Sequence, residues 1–141
     1  MRDATIALVE EENSPEAKEL IKNLVTFNDL VAPRENWESY LLVAKDCSGE
    51  LIGGVKGYTH WDWLFVSHLW VCEASRGSGL GTALVNRAED LARKRNCKHA
   101  WLDTFSFQAR EFYVKCGYQE FAKLENFPPG YSRHFLRKKL I

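Results

Sequence analysis

Cysteine is scarce in this 141-residue chain and badly placed for bridging: Cys47, Cys72, Cys97 and Cys116 are widely spaced, with no Cys-x-x-Cys step. Two of them sit inside apolar runs, so buried thiols in a reducing compartment are expected rather than disulfides or zinc ligands. The four histidines add no recognisable ligand spacing, and no metal is expected. An excess of charge of either sign is missing too. Lys plus Arg and Asp plus Glu number 19 each, leaving no global field to recruit nucleic acid or an anionic membrane. The basic run Arg137-Lys138-Lys139 is too short to act as a nucleic-acid stripe. No stretch approaches the length of a membrane span, and Met1-Arg2-Asp3 begins with charge rather than an apolar segment. The expectation is a cytoplasmic protein with no nucleic-acid or membrane partner. Repeats, low-complexity tracts and flexible linkers are absent, and the length suits a single domain over residues 1–141.

What is present centres on one turn. Leu64 to Cys72 is almost wholly apolar or aromatic, as a central strand covered on both faces would be. After the turn, Leu80, Ala83, Leu84, Ala88, Leu91 and Ala92 recur at helical spacing, with Asn86, Arg87, Asp90, Arg93 and Lys94 mainly on the opposite face. Between these runs, Gly77, Gly79 and Gly81 let the backbone approach a ligand and leave amides unobstructed at a helix N-terminus, an arrangement that binds phosphate well. The spacing excludes two common users of such turns. A dinucleotide fingerprint needs a small residue three positions after its second glycine, where this chain has Thr82 or Leu84. A nucleotide P-loop needs Gly-Lys followed by Ser or Thr, a step the chain does not contain.

Elsewhere, the short apolar run Ala4 to Val9, ended by three glutamates, predicts a first strand. Ser14-Pro15 predicts an N-cap with proline at the first helical position. The helix it opens carries Ala17, Leu20, Ile21, Leu24 and Val25 and fades near Asn28 to Pro33, with Phe27 to Arg34 a loop or a second short helix. Tyr40 to Ala44 and Leu51 to Thr59 flank Asp46-Cys47-Ser48-Gly49-Glu50 as a hairpin. His99 to Thr104 predicts another strand, and Ala109 to Cys116 a short helix capped by Gly117. Tyr118 to Leu124 and Ser132 to Leu140 predict a last pair of strands about the Phe127-Pro128-Pro129-Gly130 turn. The order β-α-β-β-β-α-β-α-β-β, with one helical crossover, predicts an α/β domain: a mixed, mostly antiparallel sheet of about seven strands flanked by helices.

Arg76-Gly77-Ser78-Gly79-Leu80-Gly81 resembles the Arg/Gln-x-x-Gly-x-Gly/Ala pyrophosphate loop of the GNAT superfamily of acyl-CoA-dependent N-acetyltransferases. Ser106 to Tyr118 resembles the same family's Asn-x-x-Ala-x-x-x-Tyr-x-x-x-Gly-Phe segment, and the match covers roughly Leu51 to Tyr118. The resemblance implies a GNAT-like fold with a splay between the fourth and fifth expected strands, Leu64 to Cys72 and His99 to Thr104. It implies acetyl-CoA as cosubstrate and a primary amine that attacks the thioester directly. Arg76, Gly77, Ser78, Gly79, Leu80, Gly81 and Thr82 would surround the pyrophosphate, and the backbone of Leu69, Trp70 and Val71 would run beside the pantetheine arm. Ser106 replaces the family's Asn as a cofactor contact and lacks an amide's paired donor and acceptor, leaving Gln108 as a substitute.

Tyr113 stands where the family places the tyrosine that shares or returns a proton to the leaving thiolate. A thiol titrates around pKa 8.5 and a phenol near 10, so that exchange is feasible. The competing reading of Tyr113 is a half-buried helix residue. The proton leaving the amine could go to Asp103, at the end of the fifth expected strand, to His68 on the fourth, or to water. Strand alternation puts Ser67 and His68 on opposite faces unless a bulge intervenes, which favours a structural role for His68; Asp103 could equally be an N-cap. Phe27, Trp37, Tyr58, His60, Trp61, Asp62 and Trp63 suit a cationic amine, or else fill core or an interface. The fold implied by the resemblance puts the Phe127 to Ser132 turn beside the acceptor groove or in a homodimer contact. A non-catalytic acyl-CoA-binding module of the same fold is the alternative function, one that could dispense with Tyr113.

Overall fold

The computed structural model describes residues 3–141, in two compact units that divide between Glu35 and Asn36. The first unit is built on α1 (Pro15–Val31). Ser14 caps it, its Oγ accepting from the Ala17 amide at 3.1 Å, with Pro15 at the first helical position. The helix ends at Ala32, directly before Pro33, whose ring disfavours helical geometry in the residue preceding it. Phe27 to Val31 therefore continues α1 and forms neither a loop nor a separate helix. The strand expected over Ala4 to Val9 is not formed: the segment has no ladder, and Ile6 is 97% exposed. An apolar run becomes a strand only where a neighbouring edge takes up its N–H and C=O groups.

The second unit runs β1 (Glu38–Lys45), β2 (Leu51–His60), β3 (Trp63–Val71), α2 (Leu80–Lys94), β4 (His99–Phe105), α3 (Arg110–Lys115), β5 (Gln119–Glu125) and β6 (Ser132–Lys139). These strands form one sheet of six, not about seven, in the order β1-β2-β3-β4-β6-β5. All neighbours are antiparallel except β3 and β4, which are parallel and joined by the α2 crossover. The β1–β2 turn is closed by Asp46, whose Oδ1 accepts from the amides of Ser48 and Glu50 at 2.9 and 3.0 Å and from the Ser48 hydroxyl at 2.6 Å. Trp61 and Asp62, with φ of 44° and 69°, make the tight turn from β2 to β3, the left-handed pair that a two-residue hairpin loop requires.

One face of the sheet carries the core. Val55, Leu64, Val66, Ala100, Leu102 and Leu136 are buried there with Leu84, Val85, Ala88 and Ala92 of α2. Glu89 lies in this apolar layer at 2% exposure, and its carboxylate accepts from the Tyr118 hydroxyl at 2.9 Å and from Lys138 Nζ at 2.8 Å. A charge taken out of water is tolerable only with such partners.

Two irregularities position the site. The β2–β3 register shifts between Lys56↔His68 and Gly57↔Val66, so Ser67 is an extra, bulged residue. Gly57 permits this, because a Cβ there would lie 1.9 Å from the Phe65 carbonyl oxygen. The parallel β3–β4 ladder runs only from Trp63↔His99 to Val66↔Leu102, while β3 continues to Val71 against β2.

Candidate active site

The turn after β3 is a short 3-10 segment, Glu73–Ser75, followed by Arg76 to Gly79. Gly77 and Gly79 have φ of 76° and 87°, and Gly79 is the N-cap of α2. Side chains rarely adopt such angles, which is why glycine stands at both positions. A Cβ at either glycine would meet nothing within 4 Å, so the turn is open on its outer side. The amides of Leu80, Gly81 and Thr82 form the first turn of α2 and have no acceptor within the helix. Arg76 is fastened beside them, its Nε donating to the Val71 carbonyl at 3.1 Å and leaving the rest of the guanidinium for an anion. Ser78 faces back into the turn, its hydroxyl donating to the Ser75 carbonyl.

A cleft of about 660 Å³ opens here, walled on one side by the end of β3 and the start of α2, and on the other by Phe107, Gln108, Ala109 and Phe112. Of the expected cofactor residues, Leu69, Trp70, Val71, Arg76, Gly77, Gly79, Gly81 and Thr82 line it; Ser78, Leu80, Ser106 and Tyr113 do not. Gln108, the substitute for the family's Asn, is in the wall and also accepts from the Phe105 amide at 3.0 Å. Ser106 is tied to β6 instead, its Oγ accepting from the Ser132 amide at 3.0 Å while its own amide donates to the Ser132 carbonyl at 2.8 Å. It lines a neighbouring cavity of about 470 Å³ with Gln108, Arg110 and His134. Ala109, the alanine of the quoted Ser106 to Tyr118 motif, is in the wall, while Ser75, Phe107 and Phe112 are walls that the motifs did not single out.

Tyr113 follows Phe112 on α3 and is buried, its ring 5.1 Å from that of Phe112 and 6.1 Å from that of Tyr118. Burial first, then the neighbouring Cys116 and Asp103, pushes its hydroxyl up to about 12. Asp103 lies on the sheet face opposite the core, where Arg133 Nε donates to its Oδ1 at 2.8 Å. That guanidinium is held in turn over the rings of Phe105, Phe127 and Phe135 at 5.4, 5.0 and 5.3 Å. On the same face the rings of Trp37, Tyr58, Phe65 and Trp101 follow one another at 5.6, 5.1 and 4.3 Å. His60 and Trp61 stack on each other at 4.2 Å and Trp63 on His99 at 4.6 Å, so the expected aromatic group divides into separate clusters.

Among the described residues no cluster of His, Cys, Asp or Glu is arranged to hold a metal ion, and no helix is long and apolar enough to cross a membrane.

A mixed sheet with one parallel join, and a phosphate-type turn opening its crossover helix onto a cleft, is the layout of an acyltransferase domain. Residues 5–118 match the acetyltransferase (GNAT) family. A blasticidin-S acetyltransferase from Streptomyces morookaense is 42% identical over 104 residues, covering 73% of this chain and 76% of that protein. An acetyltransferase of Agrobacterium fabrum is 31% identical over 125 residues, 88% of this chain and 91% of that one. The crystal structure of an acetyltransferase from Bacillus cereus superposes with a TM-score of 0.83 at 35% identity, covering 94% of this chain and 97% of that one. The chain belongs to the GNAT acetyltransferase family, and it is an acetyl-CoA-dependent enzyme.

Proposed function

We propose that the chain moves the acetyl group of acetyl-CoA to a primary amine, the amine nitrogen attacking the thioester carbon directly as the carbon–sulfur bond breaks. The observation that carries this reading is the cleft, which joins the open end of β3 to the first turn of α2. Its residues fit the cosubstrate. The amides of Leu80 to Thr82, the open flank at Gly77 and Gly79 and the remaining donors of Arg76 suit a pyrophosphate. Beyond Val66↔Leu102 we take β3 and β4 to splay apart, leaving backbone groups of Leu69, Trp70 and Val71 for the pantetheine amides.

In this reading Tyr113 stabilises the departing sulfur. A phenol pushed up to about 12 stays protonated through the neutral range. It is also a weaker acid than a thiol near 8.5, so it hydrogen-bonds the thiolate rather than surrendering its proton outright. Asp103 stands on the acceptor side. Arg133 holds one oxygen of its carboxylate, which suits the other to accepting a hydrogen bond from the acceptor nitrogen. The Trp37, Tyr58, Phe65 and Trp101 rings offer faces that attract a cationic amine.

The test is thiol release from acetyl-CoA with blasticidin S, spermidine and a lysine-containing peptide as acceptors. The first is chosen because a relative acts on it. Release with at least one amine is expected. Tight acetyl-CoA binding with no release on any amine would make the chain a non-catalytic acyl-CoA-binding module.

A further inference from the structure

The bulge in β3 changes what His68 can do. Without it, His68 would alternate onto the core face; with Ser67 as the extra residue, His68 pairs with Lys56 on the face that carries Tyr58 and Phe65, and it is exposed. Leu69 and Val71, on the other face, pack toward the core and line the cosubstrate cleft. The imidazole therefore stands on the other face of the strand from Leu69 and Val71, beside Trp70 at the cleft's edge and just past the last β3–β4 pair, Val66↔Leu102. An amine arriving on that face and an acetyl group arriving from the cleft would meet at the end of this ladder.

Hydrogen bonding also fixes the state of the ring. Ser67 has a single hydroxyl proton, and its Oγ donates that proton to the Lys56 carbonyl at 2.9 Å, an atom that can only accept. Ser67 Oγ also lies 2.9 Å from His68 Nδ1. With its proton already used, the oxygen can only accept there, so Nδ1 must carry the hydrogen. The neutral ring then presents its lone pair at Nε2. Taking a proton at Nε2 leaves both of these hydrogen bonds intact, so the network holds the ring equally well before and after.

We propose that His68 is the general base of this enzyme, accepting the amine's proton at Nε2 while Ser67 fixes its tautomer. The assignment rests on the amine-transfer reading above. The ammonium form of the acceptor first gives one proton to Nε2, which the imidazolium passes to solvent; as the neutral nitrogen then bonds to the thioester carbon, a second amine proton passes to Nε2 and the electron pair of the carbon–sulfur bond leaves with CoA as thiolate, so atoms and charge balance when the imidazolium releases that proton to solvent. The charged and titratable groups that share this face are Lys56, directly across on β2, the Asp103–Arg133 pair from β4 and β6, and, toward the other end of the sheet, His60 on β2, His99 on β4 and Arg137 and Lys139 on β6.

Two measurements test it. Nitrogen-15 NMR of the imidazole in the acceptor-free protein should show the Nδ1–H tautomer, and Ser67→Ala should shift the population toward Nε2–H; an Nε2–H ring in the wild type overturns the proposal. In acetyl transfer to the amine selected above, His68→Gln should keep acetyl-CoA affinity and thermal stability while kcat/KM falls by about a hundredfold or more at neutral pH. Its pH profile should follow the unprotonated fraction of the amine and lie at higher pH than the wild type's. A His68→Gln enzyme with wild-type rate and profile overturns the base alone. A wild type inactive on every amine overturns the function beneath it, and the assignment with it.

Discussion

At Tyr113 the burial that packs the ring against Phe112 and Tyr118 is also what raises its hydroxyl, so one environment packs the ring and keeps the phenol protonated as a hydrogen-bond donor. Tyr113→Phe keeps the ring. Turnover should fall by about a hundred- to a thousandfold, the span for removing one hydrogen-bond donor to a developing anion, with acetyl-CoA affinity unchanged. Steady-state kinetics with a separate binding titration checks this. If affinity and melting temperature fell together, the hydroxyl would be structural instead. His68 shows where reading residues one at a time stops. Strict alternation argues for the wrong face, because the bulge depends on Gly57, a residue ten positions upstream that meets β3 only in the folded sheet.

For elements, the start of α2 was legible because its chemistry is local. Three glycines beside an amphipathic run specify a turn and a helix N-terminus, and eight of the expected contacts line the cleft. Gly79→Glu would strain a backbone at φ 87° and set a negative charge at the mouth of the helix. Acetyl-CoA affinity should drop at least about tenfold by titration calorimetry, since like charge and lost amide access both oppose the pyrophosphate. Wild-type affinity would remove this turn from the cofactor site. The opposite wall was less legible. Phe107 and Phe112 fall at undefined positions of the quoted motif, and only the approach of two segments some thirty residues apart makes them walls. The first strand failed for a related reason: Ala4 to Val9 has a strand's composition, but pairing is a property of two segments and no partner edge receives it.

Across the whole molecule, three tyrosines tie stability to alkaline pH. Tyr40, Tyr113 and Tyr118 all have hydroxyls pushed up chiefly by burial, with Glu89 adding to the effect at Tyr118. A folded-state value above the unfolded one means that stability is intact below about pH 10, where the unfolded phenol titrates, and is lost as pH rises beyond it. For Tyr113 the loss continues to about 12 and amounts to roughly 3 kcal/mol. Urea midpoints should fall steeply between about pH 10 and 12, and Tyr113→Phe should flatten part of that slope. A level midpoint across this range would mean the rings are wetter than the fold describes.

The brevity of the β3–β4 ladder has a mechanical side. β1, β2 and β3 are bound edge to edge by full-length antiparallel pairing, and so are β4, β6 and β5. Only the pairing from Trp63↔His99 to Val66↔Leu102 stitches one group to the other within the sheet. The sheet of the second unit is therefore like a book with a short spine, and the cleft-lining residues Leu69 to Val71 lie beyond the last stitch. Four residue pairs carry all the strand-to-strand hydrogen bonding between the two groups, so this join has fewer backbone bonds to lose than any other in the sheet.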